Sequence, residues 1–320
     1  MAEGPAVIVV WITAVVVGMA VAVLASRKAV DHASTLAFGL KVPPFLIGLT
    51  LLAIGTDLPE IANSIIASVS DHGDLNVGDS VGSTITQVTL VLGLLPFFVR
   101  GGFTVGRSRV LLPSLIIAGQ LAVVAFLLRD GQFSRIDGAV LISLWVGGSF
   151  LLWRKGPVPS EPTISVPSRR KSYHAAATLL ALAIVGGGAT VAVIGFIELS
   201  ELMGVPEFII AFFGTAVGTS LPELVVSVTA LRRGERDLAI GDVLGASLAD
   251  SSLSIGIGPL IAPTAISSDL AVASALGGVG ALLIIAALMS RFERHTVWTG
   301  LALLVLYAAF FPLLLMIESG

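Results

Sequence analysis

Four acidic residues lie in long apolar stretches, where a charged side chain is costly. Glu60, Glu223 and Asp250 fall well inside such stretches, and Asp57 lies one helical turn before Glu60. An ionised acid at the centre of a bilayer costs roughly 2.5–3.5 kcal/mol on the most lenient scale. The Lys and Arg residues are confined to loops or to the ends of these stretches, so we expect none beside the acids. The acids should therefore be protonated or bind a cation, which predicts a cation or proton pathway.

The polar groups near these acids are oxygen ligands. The chain contains no Cys, and its four His residues fall in loops or near the ends of the apolar stretches. Oxygen ligands favour hard cations such as Ca²⁺, Na⁺, Mg²⁺ or Mn²⁺ over zinc or copper. The candidate ligands are Thr56, Asp57, Glu60, Ser83, Gln87, Thr219, Ser220, Glu223 and Asp250, together with the backbone carbonyl groups of Ala53 and Ala216.

A block that contains two of the acids occurs twice. Phe45–Glu60 and Phe208–Glu223 are identical at eight of sixteen positions, at an offset of 163 residues. A Gly-Asp-x-x-Gly segment follows at Gly78 and again, at the same offset, at Gly241. Two blocks that share one offset indicate an internal duplication, which is typical of secondary transporters.

Each block also carries a helix breaker. Pro59 and Pro222 lack the backbone N–H group that an α-helix uses, so each is expected to interrupt its span. Carbonyl groups freed by such a break need a partner in the bilayer, and a bound cation can supply it. We expect these freed carbonyl groups at Ala53 and Ala216. A simple proline kink is the alternative, but the repetition of the break beside Thr and Glu favours an ion site.

The composition places the chain in a membrane. Of its 320 residues, 55% are hydrophobic and 12% are charged, whereas soluble domains carry roughly 25% charged residues. A net charge of −3 gives no reason to expect nucleic-acid binding. About 20 apolar residues are needed to cross a bilayer as a helix. Ten segments approach this length: 6–25, 43–69, 78–98, 109–128, 137–153, 174–197, 206–230, 239–262, 270–290 and 296–316.

The basic residues predict the orientation of these spans. With ten spans, sixteen of the eighteen Lys and Arg residues fall on one side, and only Arg129 and Arg135 fall on the other. This bias predicts a multi-pass protein of the cell membrane with both termini outside. An odd number of spans in each half makes the halves inverted. The expected fold is all-α, with ten transmembrane helices in two inverted five-helix repeats. Helices 2 and 7 are expected to be broken at the midplane. The repeats are 1–155 and 173–320, joined by a cytoplasmic linker at 156–172.

Two further acids, Asp79 and Asp242, open the predicted spans 3 and 8. An Asp at the start of a helix can cap its free N–H groups and complement its dipole. The alternative is that both line a vestibule for ions. The sequence favours capping but leaves both interpretations open.

At these motifs the sequence resembles the cation/calcium exchanger superfamily, and within it the prokaryotic sodium/calcium exchangers. Gly55–Glu60 and Gly218–Glu223 resemble the two signature repeats of that family. The resemblance implies that Glu60 and Glu223 are ligands shared by calcium and sodium, and that Asp250 and Ser83 complete the set. It implies that Thr56, Thr219 and Ser220 help to bind sodium. It places the carbonyl ligands at Ala53 and Ala216.

Three positions depart from the family pattern. Asp57 stands where the first repeat normally has Ser, Gln87 where the third span has Asn or Asp, and Ala246 where the eighth span has Ser. One sodium site thus loses a hydroxyl group and gains a carboxylate. This change affects the expected sodium stoichiometry, and Asp57 could instead carry a proton or add charge for a divalent ion.

The sequence therefore predicts an antiporter that exchanges Ca²⁺, or a similar hard divalent cation, for Na⁺ by alternating access. The nearest alternative is a proton-coupled cation antiporter with Asp57 as the proton carrier. A channel and an intramembrane aspartyl protease are less favoured, and the protease lacks support because no Gly-x-Gly-Asp motif surrounds the acids. We expect no enzymatic activity and no cofactor. The expected partners are the lipid bilayer and inorganic cations, and the expected state is a monomer.

Overall fold

Helices form most of the chain, as the long apolar stretches predict. The structure, a computed structural model, describes residues 5–155, 171–202, 216–292 and 294–318. In the first half the elements are α1 (Pro5–Leu40), α2 (Pro44–Ile47), a π-helical segment (Gly48–Leu52), α3 (Ala53–Thr56), α4 (Leu58–Val69), α5 (Gly73–Thr86), a second π-helical segment (Gln87–Val91), α6 (Leu92–Leu94), a 3₁₀ turn (Leu95–Phe98), β1 (Phe103–Thr104), α7 (Arg107–Leu127), a 3₁₀ turn (Leu128–Asp130), β2 (Gln132–Phe133) and α8 (Arg135–Lys155).

The second half follows a similar order. Its elements are α9 (Lys171–Leu202), α10 (Ala216–Thr219), α11 (Leu221–Arg232), α12 (Arg236–Ala249), a third π-helical segment (Asp250–Ser254), α13 (Ile255–Ile261), β3 (Thr264–Ala265), α14 (Ser268–Arg291), β4 (Arg294–His295) and α15 (Val297–Glu318). Residues 156–170 of the predicted linker and 206–215 of the predicted seventh span lie outside the described residues. The described residues resume at Lys171, where α9 begins.

Within the described ranges, seven helices are long and apolar enough to cross a membrane. The bent pair Pro44–Thr56 and Leu58–Val69 adds an eighth if it forms one span, and Val297–Phe310 is a shorter apolar helix. Large apolar side chains are exposed along α1, where Val9 and Val16 are each 61% exposed. Such a surface suits lipid rather than water, so the chain is a multi-pass membrane protein.

The first helix is longer than the sequence predicts. The predicted span ends at residue 25, but α1 continues to Leu40 over 36 residues. A helix of this length extends about 54 Å, well beyond a hydrocarbon core of about 30 Å. Arg27 and Lys28 therefore lie inside a helix and not in a loop, and so does His32. The prediction ended the span before Arg27 and Lys28, although apolar residues at helical spacing continue through positions 29–37 and are buried.

Two helix breaks carry the residues of the repeated blocks. Asp57 lies between α3 and α4, which meet at 45°, and its backbone is non-helical with φ −75° and ψ 0°. Ser220 lies between α10 and α11 with nearly the same angles, −80° and 4°. In both places the second residue of the following helix is Pro, which needs no N–H partner there. Proline therefore lies in the first turn of the second helix of each pair.

The duplication extends to the boundaries of the secondary structure. Four consecutive segments of the first half recur 163 residues later with the same lengths: α3 as α10, α4 as α11, α5 as α12, and the π-helical segment Gln87–Val91 as Asp250–Ser254. Two short ribbons link the halves reciprocally, since β1 pairs with β4 and β2 pairs with β3, both antiparallel. The halves also interleave through helix pairs α7 with α14 and α8 with α13.

Glycines allow α12 to pack backbone against backbone on the first half. A side chain at Gly241 would overlap the carbonyl oxygen of Phe45, and one at Gly245 would overlap that of Leu49. Small residues spaced four apart permit this close approach between membrane helices. The contact brings α12, which leads directly to Asp250, against the segment that leads to Asp57.

Gly241→Ala should therefore destabilise the fold, whereas Gly78→Ala should not. Gly78 is the repeat counterpart of Gly241, but a side chain there meets no described atom within 4 Å. Overpacking at Gly241 is expected to cost about 1–3 kcal/mol. At Gly78 the better helix propensity of Ala is worth up to about 1 kcal/mol. Thermal unfolding of both full-length variants in detergent measures the difference, and equal Tm values would contradict it.

Candidate functional site

Three carboxylates from the two helix breaks form one cluster. Asp57, Glu60 and Glu223 each place a carboxylate oxygen within 4.8 Å of the others, and all three side chains are fully buried. In the described part of the chain no group donates a hydrogen bond to these oxygens, and neither of the two ion pairs found there involves them. Two like charges 4 Å apart repel by about 4 kcal/mol at an effective dielectric constant of 20. This carboxylate cluster is therefore suited to hold a cation or protons.

Asp250 lies on the π-helical segment that packs against α4, the helix of Glu60. Gln87, its repeat counterpart, donates a hydrogen bond from Nε2 to Oδ2 of Asp250 at 2.8 Å. Ser247 donates in turn to Oε1 of Gln87 at 2.9 Å. The other oxygen of Asp250, Oδ1, is buried and has no hydrogen-bond donor among the described residues. Gln87 thus fixes one oxygen of Asp250 and leaves the second available for a ligand.

A second chain of hydrogen bonds runs from Ser83 to Asn63. The hydroxyl groups of Ser83 and Thr219 are 3.2 Å apart, and Thr219 donates to Oδ1 of Asp79 at 3.3 Å. Asn63 donates to Oδ2 of the same carboxylate at 2.6 Å. The structure therefore joins residues from α4, α5 and α10 in one partly buried network beside the carboxylate cluster.

The hydroxyl and carbonyl candidates near the breaks differ in availability. Thr56 donates to the carbonyl oxygens of Leu52 and Ala53, at 3.2 and 3.1 Å. Ala53 also accepts from the backbone N–H of Asp57 at 2.9 Å, so the expectation that the break frees this carbonyl is wrong. Since Pro59 has no N–H, it is the carbonyl of Gly55, four residues earlier, that loses its helical donor.

At the second helix break, Ser220 is buried. Its hydroxyl group has no hydrogen-bond partner within the described residues. Ala216 is the first described residue of α10. Ala246, which replaces the Ser of the family pattern, is also buried and offers no ligand atom.

Asp79 and Asp242 do not cap helices, which corrects that prediction. The helices α5 and α12 begin at Gly73 and Arg236, so both acids lie seventh in their helices. Both are buried, and Asp242 accepts a hydrogen bond from Ser227 at 2.7 Å. The predicted helix starts come too late in the sequence because the first turns, such as Gly73–Val77, are partly polar and do not continue the apolar pattern.

Sequence reasoning missed Asn63 and Ser247. Each lies three residues from a predicted acid, Asn63 after Glu60 and Ser247 before Asp250. Residues three apart share a helix face, so this spacing could have identified both. Their partners, Asp79 and Gln87, lie on other helices and could not be inferred from spacing alone.

The fold and the site together define a multi-pass membrane protein with an oxygen-lined, acidic site in its interior. The family model described as sodium/calcium exchanger protein matches residues 10–154 and 173–316. The chain is 31% identical to the inner membrane protein YrbG of Escherichia coli over 267 residues, which cover 78% of this chain and 79% of YrbG. It is 27% identical to the sodium/calcium exchanger MaX1 of Methanosarcina acetivorans over 343 aligned positions, which cover 93% and 96% of the two chains.

A solved structure has the same fold. The sodium-calcium exchanger NCX_Mj, soaked with 10 mM Na⁺ and zero Ca²⁺, superimposes with a TM-score of 0.77 at 25% identity, covering 95% of this chain and 99% of NCX_Mj. The chain therefore belongs to the sodium/calcium exchanger family, a family of transporters and not of enzymes. This confirms the resemblance noted in the signature blocks.

Proposed function

We propose that the protein is a secondary antiporter that exchanges Ca²⁺, or a similar hard divalent cation, for Na⁺. The carboxylate cluster carries this proposal, because Asp57, Glu60 and Glu223 are buried together without a described hydrogen-bond donor or basic partner. Hard cations bind such oxygen sets, and Ca²⁺ accepts them in flexible geometry. Membership of the sodium/calcium exchanger family supports the choice of these ions.

In this proposal the divalent ion and sodium use two overlapping sets of ligands. The divalent ion binds Glu60, Glu223, Asp57 and the free oxygen of Asp250. Sodium ions use the same acids together with the hydroxyl and amide groups around them. These are Thr56, Ser83, Gln87, Thr219 and Ser220, with the backbone carbonyl group of Ala216. Because both ions need the same carboxylates, one displaces the other, and this competition couples their transport.

The proposed architecture is ten transmembrane helices in two inverted repeats, 1–155 and 173–320, joined by a cytoplasmic linker at 156–172. The recurrence of α3–α5 as α10–α12 and the reciprocal pairing of the short ribbons support this arrangement. Both termini lie outside, as the distribution of basic residues predicts. A monomer alternates access to the midplane site between the two sides.

Proton coupling is the second candidate, and one observation favours it. Asp57 is a carboxylate inside the cluster at the position where the second repeat has Ser220. A proton could occupy this additional acid while a metal ion occupies the others. In that case an H⁺ gradient would drive cation transport.

Flux measurements on the full-length chain in proteoliposomes test both candidates. We expect uptake of radiolabelled Ca²⁺ when Na⁺ is trapped inside, because outward Na⁺ movement drives exchange, and no accumulation without a gradient. Uptake driven only by an outward H⁺ gradient would select the second candidate. Uptake that needs no counter-ion would indicate a channel, and an absence of Ca²⁺ and Mn²⁺ flux in all conditions would overturn the proposal.

A further inference from the structure

A groove of about 520 Å³ separates α1 from α11, away from the carboxylate cluster. Met19 and Val23 of α1 line one wall, and Leu224 and Val228 of α11 line the other. On the neighbouring surface of α1, Val17 is 52% exposed and Leu24 is 61% exposed, which marks this face as a lipid contact. The groove therefore offers lipid a continuous apolar path into the protein.

One end of the groove is basic. Arg27, Arg232 and Arg233 line it. Arg233 forms an ion pair with Asp31. Arg232 lies over the ring of Phe98, 5.2 Å from its centroid. In the described part of the chain neither Arg27 nor Arg232 forms an ion pair with a carboxylate, so two guanidinium charges remain without a protein counter-charge.

Apolar walls that end at two unpaired guanidinium groups match the two parts of an acidic phospholipid. Arginine binds phosphate oxygens through paired N–H donors, and its weak hydration suits an interface. Basic pockets between membrane helices are a known location for acidic lipid headgroups. The geometry points to a binding site for one anionic phospholipid. Its phosphodiester lies between Arg27 and Arg232, and an acyl chain lies along Met19, Leu224 and Val228.

The proposed lipid site adjoins α11, the helix that carries Glu223. The helix α11 presents Leu224 and Val228 to the groove and holds the buried Glu223 in the carboxylate cluster. Ser26 of α1 and Thr229 of α11 are joined by a hydrogen bond of 2.8 Å at the same level. A bound lipid therefore contacts both helices at the point where α1 meets the ion-binding helix.

Native mass spectrometry of the purified full-length protein tests the site without requiring transport. We expect phosphatidylglycerol to be retained in preference to phosphatidylcholine. Arg27→Gln combined with Arg232→Gln should weaken phosphatidylglycerol binding by roughly 25-fold, since each basic residue near an anionic lipid contributes about fivefold. The control, Arg107→Gln with Arg154→Gln, removes the same charge from exposed positions on the same predicted side. This control should bind as the wild type does.

The variant Val228→Trp distinguishes lipid binding in the groove from general electrostatic attraction of lipid to the basic surface. It fills the space for the acyl chain and keeps every arginine, so it should also weaken the retention of phosphatidylglycerol. Equal losses in the two arginine variants would overturn the site, because charge alone would then explain binding. Full retention of phosphatidylglycerol by a Val228→Trp protein that elutes as a single species would also overturn the site. If that variant does not fold, the two arginine variants still decide the question, since their positions are exposed.

Discussion

Glu60→Gln should reduce Na⁺-driven Ca²⁺ uptake by more than about 100-fold. Glu60 supplies one of the three clustered carboxylates, and no described group donates a hydrogen bond to either of its oxygens. The substitution keeps the shape of the side chain but removes its charge and turns one ligand oxygen into a donor. Even outer-shell partners of a metal are worth roughly 10- to 100-fold, so a direct ligand should exceed that range. Uptake into proteoliposomes under an outward Na⁺ gradient provides the measurement.

Two controls separate loss of the site from loss of the fold. Glu235→Gln makes the same chemical change in the turn between α11 and α12, outside the cluster, and should transport normally. A ligand that binds only the folded protein raises its Tm, so Ca²⁺ should stabilise the wild type and the control but not Glu60→Gln. Normal transport by Glu60→Gln would show that the cluster is not the ion site.

The sequence singles out the buried acids because membrane insertion makes them conspicuous. An acid in an apolar span needs a compensating partner, so Glu60, Glu223 and Asp250 stand out without any alignment. The offset of 163 residues between the two blocks also anticipates the recurrence of α4 as α11. Where a physical cost and an internal repeat indicate the same residues, the prediction requires no tertiary information.

The remaining features depend on contacts between distant segments. The hydrogen bond from Gln87 to Asp250 joins residues 163 positions apart, and nothing in the local sequence specifies it. The length of α1 and the mid-helix positions of Asp79 and Asp242 were missed for another reason. Charged or polar residues such as Arg27 in α1 interrupt the hydropathy pattern, so hydropathy alone ends the span there although the helix continues.

Asp57 changes the charge of the proposed site relative to the second repeat. With Glu60, Glu223 and Asp250 alone, one divalent ion leaves one negative charge. The carboxylate of Asp57 adds another, and its oxygen lies within 4.8 Å of those of Glu60 and Glu223. An additional acid at this distance strengthens the attraction for a divalent ion by several kcal/mol before desolvation is subtracted. It also provides one more position for a monovalent cation.

Asp57→Ser should therefore raise the KM for Ca²⁺ by about tenfold or more, because most but not all of that gross attraction is offset by the cost of desolvation. Na⁺-driven exchange should persist, since the other three acids remain. Any Ca²⁺ uptake driven by an H⁺ gradient should disappear. Initial rates over a range of Ca²⁺ concentrations, measured separately with Na⁺ and H⁺ gradients, give both results.

The double variant Asp57→Ser with Ser220→Asp tests whether the carboxylate acts through its charge in the cluster or through its position beside Glu60. It moves the carboxylate to the equivalent helix break of the other half, where the backbone angles are nearly the same. If charge in the cluster sets the affinity, the double variant should recover a KM near that of the wild type, while Asp57→Ser alone does not. A KM that is unchanged in the single variant would remove Asp57 from the site. A single variant that is impaired but not rescued would show that its position beside Glu60 is what matters, because the two halves surround the ion unequally.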